Sequence, residues 1–486
     1  ARQHGIGEAC EGCHGARGDG DGLLTALFPR PPSLHTQRVR DWPDGEIFHR
    51  EMRGQASMPS HARQLDARDA WAVVLHLRQL QESSPVAPDP NAPPAGRLRL
   101  PLPVRGGARL AAIAGGAPFA WTLSRGEAAL AWSAYLIGAF FTLGLAIFAI
   151  SWLAILALSR GIWAVTLRRP TEAMTTWLLP GGLLTLGIGF GLRALFHWAD
   201  PEAVAADPLL THKSPFLNPT LFWIVVAGSL VVWIAFGAAF VRLSRRQDRE
   251  GGITASLRTR TLGAIFLVIF ALSFSVVSFY LLLSLDAHWF STMWAALVFT
   301  DVAQTGTAFL AVVAGLLVAR GRLAGFLNEN HLHALGKMLF AWTGFWAYIY
   351  FCQYLLIWYA NIPEETVYFL RRTTESWLPH LLVVTLLKFV IPFLLLLPRA
   401  AKRNPRILVP TAMLLLLGQF MELYVMVGPA LGHGAEPAPG HLPGVELLVT
   451  LGFLGLFTLV WGWSLARHEA VPLKEPALAA CFDYHS

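Results

Sequence analysis

The chain has 486 residues, of which 54% are hydrophobic and 14% charged, with a formal charge of +7. That length argues against a single compact domain, and recurrent apolar runs of about 20 residues mark a polytopic membrane protein. The positive balance does not point to nucleic acid, because the basic residues lie in short loops between apolar runs, as membrane topology demands.

The first motif is Cys10-Glu11-Gly12-Cys13-His14. Two cysteines two apart, followed at once by histidine, are the attachment signature of c-type haem. The thiols form thioethers and His14 ligates the iron. A chance match or a labile CxxC redox pair is the competing reading; the histidine and the glycines at 15, 18, 20 and 22 argue against it. One covalent haem c is expected. Because such haem is attached on the outer side of the bacterial membrane, residues 1–84 are expected in the periplasm, with an export signal upstream of Ala1.

The iron needs a sixth ligand. Met58 is the first choice, 44 residues after His14 (58 − 14), since a thioether raises the potential to suit a late acceptor. Met52, His49 and His61 are its rivals. Residues 66–82 carry Ala70, Val73, Val74, Leu77 and Leu80 at helical spacing, and Trp71 and Leu75 are expected to extend that face. Arg38, Arg40 and Trp42 either contact haem propionates or face solvent. The segment resembles a small class I cytochrome c over its whole length.

Residues 85–129 form a linker and interfacial segment. Pro85, Pro88, Pro90, Pro93, Pro94, Pro101 and Pro103 make an extended, semi-rigid spacer. Residues 107–120 are mildly apolar, broken by glycines and Pro118, and are read as interfacial rather than spanning.

Residues 130–466 hold nine expected spans: 130–158, 175–196, 219–241, 260–284, 292–319, 337–359, 378–398, 408–427 and 443–465. The loops on one side carry eighteen Lys and Arg, among them Arg160, Arg168, Arg242, Arg260, Lys402 and Lys474. The opposite loops carry three: Lys213, Arg371 and Arg372. Positive loops stay in the cytoplasm. The tail, residues 467–486, is then cytoplasmic, and an odd number of spans puts the N-terminus outside, where the haem belongs. The fold class is all-α: a cytochrome domain plus a polytopic helical domain in the bacterial inner membrane.

An ionisable group at membrane depth is costly and therefore a functional candidate. Asp301, Gln304 and Thr305 share one helix face and form a polar stripe that either carries protons or glues helices. Lys388 sits near a midplane with His380 two turns back, and Gln419 and Glu422 share a face on the next span. A Lys388–Glu422 pair would relieve both charges, as structural staple or as proton relay. Arg193, His197, Asp286 and His288 read as loop anchors. The histidines fall near span ends, so no b-type haem pair is evident.

Two stretches go further: Asp286-Ala287-His288-Trp289-Phe290-Ser291-Thr292, and Asn328 to Lys337 continued by Gln353 to Thr366. Residues 130–466 resemble the second large membrane subunit of alternative complex III, a relative of polysulfide-reductase-type anchors. That resemblance implies two four-helix bundles and a possible proton path. It also implies a quinol site in another subunit, and partners: a multihaem cytochrome c subunit, an iron–sulfur subunit, a second related polytopic subunit, and a periplasmic cytochrome c or terminal oxidase. The family's subunit has ten spans with its N-terminus inside. Here the first span is read as reduced to residues 107–120, with the monohaem cytochrome fused ahead of it. The alternatives are a self-sufficient quinol dehydrogenase, binding quinol near His197, His288 or His380, and an ion translocator whose haem senses redox state.

Overall fold

The computed structural model describes residues 10–26, 31–55, 58–83, 97–251, 253–323, 326–432, 437–472, 474, 475, 478 and 481. Pro29, Ser57 and the linker prolines 85 to 94 lie outside the described residues, as does the Arg38 side chain. The chain divides into two units, one centred on residues 1–93 and one running from Pro94 onward. All regular structure among the described residues is helical.

In the first unit, residues 10–14 form a helical turn. Helix α1, Asp44–Arg53, has Asp44 and Glu46 in its first turn and Arg50 and Arg53 in its last, a distribution that suits the helix dipole. Helix α2 is Ala67–Ser83. Ile47 of α1 meets Val74 and Leu77 of α2 in a small core, with Leu34, Trp42 and Phe48 packed against it. Arg78 ties α2 to α1 by donating to Asp44 Oδ1 at 2.8 Å, and to the turn before α1 through the carbonyls of Arg40 at 2.9 Å and Trp42 at 2.5 Å. Trp71 and Leu75 do not extend the buried face; they are 44% and 64% exposed. They stand to the side of the Ala70–Val74–Leu77 stripe, and Trp71 stacks on Phe48 at 4.9 Å.

Among the described residues, the second unit holds ten long helical segments. They are α3 (Leu102–Ser124), α4 (Ala128–Ser159), the interrupted α5 (Ile162–Leu195), α6 (Pro219–Glu250) and α7 (Thr254–Leu281). The remainder are α8 (Trp294–Ala319), α9 (Glu329–Ala360), the interrupted α10 (Leu378–Leu396), α11 (Pro405–Val427) and α12 (Gly444–Leu465). Eight of them, all but α3 and α9, combine the length and apolar character needed to cross a membrane. Helix α9 is 32 residues long, but its aromatic-rich run has lower hydropathy. Helices α4 to α7 pack on one another, as do α8 to α11, giving two groups of four, and α12 lies against α4.

Residues 107–120, expected to be interfacial, lie within the continuous helix α3. It is 23 residues long, about 34 Å at 1.5 Å per residue, and packs antiparallel along α12. The seam is made of small residues. A Cβ placed on Gly115 would lie 2.4 Å from Gly452 Cα, and one on Gly455 would lie 2.5 Å from the Ala108 carbonyl oxygen. Without side chains between them the backbones close to contact, the usual device of helix pairs in lipid. Pro118 lies inside the helix without ending it. At the start of α3, Arg97 bridges Glu469, just beyond the end of α12.

Candidate functional site

Two sites carry chemistry. At the first, the loop after His14 folds back onto the motif turn. Gly20 N–H donates to the His14 carbonyl at 2.8 Å and Gly22 N–H to the Cys13 carbonyl at 3.3 Å. Gly15, Gly18 and Gly20 take φ near +75°, and a Cβ on Gly22 would sit 2.4 Å from the carbonyl oxygens of Glu11 and Gly12. The glycine run therefore serves a tight wrap around the cysteines.

Cys10 and Cys13 are free, partly buried thiols one turn apart. Burial, reinforced by the Glu51 carboxylate, pushes the Cys10 thiol up to about 11. A redox CxxC pair has the opposite property, a lowered thiol pKa. Burial, and then the neighbouring His61, lower His14, which keeps its imidazole neutral, the ligating form. The Nδ1 of His14 is buried without a hydrogen-bond partner. Two thiols and a neutral imidazole on one helical turn fit a haem held by thioethers, with the imidazole on its iron.

The segment after α1 holds residues that could supply the sixth ligand. Met58 exchanges two backbone hydrogen bonds with Gln55, at 2.9 and 3.0 Å, in a tight loop entered through Gly54 at φ 75°. His61, which perturbs His14, has its Nδ1 3.1 Å from Gln64 Oε1. Glu51, 6% exposed, has Oε2 without a partner, and burial lifts its carboxyl to about 7. Of the residues weighed as propionate contacts, Arg40 donates to the His35 carbonyl at 3.2 Å and Trp42 carries Arg50 over its ring at 3.8 Å.

The second site lies among α8 to α11. Lys388 Nζ, wholly buried, donates to Asp301 Oδ1 at 2.6 Å, to Gln419 Oε1 at 2.9 Å and to Glu422 Oε2. Trp346 Nε1 donates to the other Glu422 oxygen at 2.9 Å. Gln304 Nε2 donates to Thr343 at 3.1 Å and to the Lys388 carbonyl at 3.3 Å. Thr305 donates to the Asp301 carbonyl at 2.6 Å. Thus Asp301, Gln304, Thr305, Lys388 and Glu422 converge, and Asp301 joins the Lys388–Glu422 pair as a third charge.

The backbone of α10 explains the placement of Lys388. Pro392 has no N–H to give to the carbonyl four residues back, which is that of Lys388. Residues Leu386–Val390 widen into a π turn, and Gln304 satisfies the freed carbonyl. Gly418 makes room, since a Cβ there would sit 2.7 Å from Lys388 Cγ. Pro392 is the sequence signal for this distortion.

At the opposite end from the arginine-rich loops, Asp286 accepts from Arg371 and Arg372, both at 3.0 Å. Arg372 is 1% exposed and also donates to the carbonyls of Tyr368, Val425 and Met426, so it works as a structural clamp. His288 meets Asp207 at 2.5 Å, and its ring is 6.4 Å from that of His197. With Arg371 they line a cleft of about 690 Å³. Arg193 is exposed, and His380 contacts the backbone carbonyls of Ser376 and His441, both at 3.1 Å.

Fold and motif define the class: a c-type cytochrome domain joined to a multi-pass helical membrane domain. Residues 3–77 match the family described as cytochrome c oxidase, cbb3-type, subunit III. That match implies electron transfer through a covalently bound c-type haem. A comparison with curated proteins gave no significant match.

Proposed function

We propose that the chain is the electron-transfer and membrane subunit of a respiratory quinol:cytochrome c or acceptor oxidoreductase of the alternative complex III type. The observation that supports this most is one chain joining a Cys10–His14 haem site to two four-helix groups with a charged centre. Cys10 and Cys13 hold a single haem covalently, and His14 and Met58 ligate its iron. The bound haem supplies a one-electron relay from a multihaem subunit to a periplasmic cytochrome c or an oxidase. In the membrane, Lys388, Asp301 and Glu422 hold a proton-exchangeable cluster. Gln304 and Thr305 extend it along α8. Quinol chemistry belongs to a related polytopic subunit, with an iron–sulfur subunit completing the assembly.

Purification of the native complex tests this reading: a multihaem and an iron–sulfur chain are expected to co-migrate, and the chain alone is expected not to oxidise quinol. Reduction of its own haem by quinol refutes the division of labour. The reading also requires the haem domain to face the periplasm. Alkaline phosphatase fused at residue 90 is then active; an inactive fusion, with an active one at residue 212, refutes that orientation.

A second reading rests on the 690 Å³ cleft, where His288, Asp207, His197 and Arg371 gather beside apolar Leu209 and Val367. A histidine–aspartate pair there suits proton acceptance from a quinol. Quinone retained by the isolated chain, and lost on His288→Ala, favours it.

A further inference from the structure

The arginine-rich end of the membrane unit contains a cleft of about 460 Å³ where the end of α4, the start of α5 and the start of α7 meet. Its walls combine apolar Leu156, Val165 and Leu257 with Arg160, Arg168 and Arg260. Arg168 is neutralised by Glu475, which also accepts from Ser256 at 3.3 Å. Arg160 and Arg260 are exposed and make no ion pair among the described residues. The cleft therefore presents two uncompensated guanidinium groups above a greasy wall that continues onto Ile162 and Ile253, 40% and 62% exposed.

Arg160 adds an independent observation. It caps α4 in the left-handed region, at φ 52° and ψ 47°, with its N–H bonded to the Leu156 carbonyl. Glycine is the residue this cap favours, and an L side chain there costs about 1 kcal/mol. The strain is borne at a position that places one of the cleft's two unpaired guanidinium groups.

We propose that this cleft binds an anionic phospholipid, its phosphate between Arg160 and Arg260 and one acyl chain along Leu156, Val165 and Leu257. Charge complementarity selects the headgroup: two cations at the level of helix ends face the layer where lipid phosphates lie, and planar guanidinium forks match phosphate oxygens. The apolar wall selects a lipid over free phosphate.

The test uses the full chain in nanodiscs of phosphatidylcholine with or without phosphatidylglycerol, with lipid retention read by native mass spectrometry and stability by thermal melting. Wild type is expected to keep one phosphatidylglycerol through delipidation and to melt higher in its presence. Inorganic phosphate is expected to change nothing. Arg160→Gln with Arg260→Gln should weaken retention about 30-fold, from about one surface arginine's worth at each position. Arg160→Gly separates binding from folding: it relieves the left-handed strain, so the protein should melt no lower in pure phosphatidylcholine, yet lose the gain from phosphatidylglycerol. Equal retention by wild type and the double variant overturns the proposal, as does equal retention of phosphatidylcholine, or stabilisation by inorganic phosphate alone.

Discussion

Substituting Lys388→Met tests what holds α8, α10 and α11 together. The methionine fills a similar volume but removes the only cation bonded to Asp301 and Glu422, carboxylates 1% and 2% exposed. Trp346 and Gln304 already spend their N–H groups on Glu422, Thr343 and the Lys388 carbonyl. Breaking a buried ion pair from one side costs about 3–5 kcal/mol. That is a large fraction of the roughly 5–15 kcal/mol that holds a domain together. The assay is thermal unfolding of the nanodisc-embedded chain by tryptophan fluorescence, with haem absorbance reporting the cytochrome domain as an internal control. The membrane transition should fall by several degrees while the haem signal holds. Adding Asp301→Asn and Glu422→Gln removes the orphaned charges, so the triple variant should regain most of the loss. Unchanged melting in the single variant, or no recovery in the triple, refutes the charge argument. In the reconstituted complex the triple variant also divides staple from relay: electron transfer survives in both cases, and proton movement stops only if the cluster conducts.

At the haem site, Cys10→Ser and Cys13→Ser should each remove one thioether, and the double variant should lose haem from denaturing gels. Met58→Ala should abolish the sulfur-to-iron charge-transfer band while leaving haem attached; absence of that band in wild type, with a low-spin spectrum lost on His61→Ala, would assign the sixth position to His61. Burial raises the Glu51 carboxyl from 4.5 to about 7, so the folded state holds that proton more tightly than the unfolded chain. The domain should therefore lose stability as pH rises from 4.5 to about 7, and Glu51→Gln, which flattens that slope, should melt higher than wild type at pH 8. Gly115→Leu drives a side chain into Gly452, where even a Cβ lies 2.4 Å away. Overpacking of that kind costs about 1–3 kcal/mol, so α3 should become sensitive to protease while α4 to α12 keep their melting transition.

What could be read from the chain depended on how local its cause was. The haem motif is a local signal, five residues whose chemistry needs no partner, and eight of the nine expected spans announce themselves by composition. The α10 distortion was half local: Pro392 stands four residues after Lys388, but the donor that repairs the ladder, Gln304, lies on another helix. The triad was not local at all. Lys388 and Asp301 are separated by 87 positions, and only the packing of α8 against α10 and α11 brings the second carboxylate to the ammonium.

Helix α3 shows where composition misleads. Its glycines and alanines lower hydropathy and imitate a linker, yet they face Gly452 and Gly455 of α12. A small-residue stripe carries meaning only when its partner is seen, and the partner here lies more than 300 residues away. The consequence reaches the topology. With nine crossings, haem chemistry and the arginine bias pointed to opposite faces for the two ends of the chain. A tenth helix, antiparallel to α12 and starting where Arg97 meets Glu469, brings residues 97–102 to the arginine-rich end. Parity then requires one of three things: α3 leaves the bilayer, the charge bias is inverted, or the haem domain lies on the arginine-rich side. Covalent haem forms only outside, so haem attached to Cys10 and Cys13 in cells eliminates the last, and the phosphatase fusion at residue 212 decides between the other two.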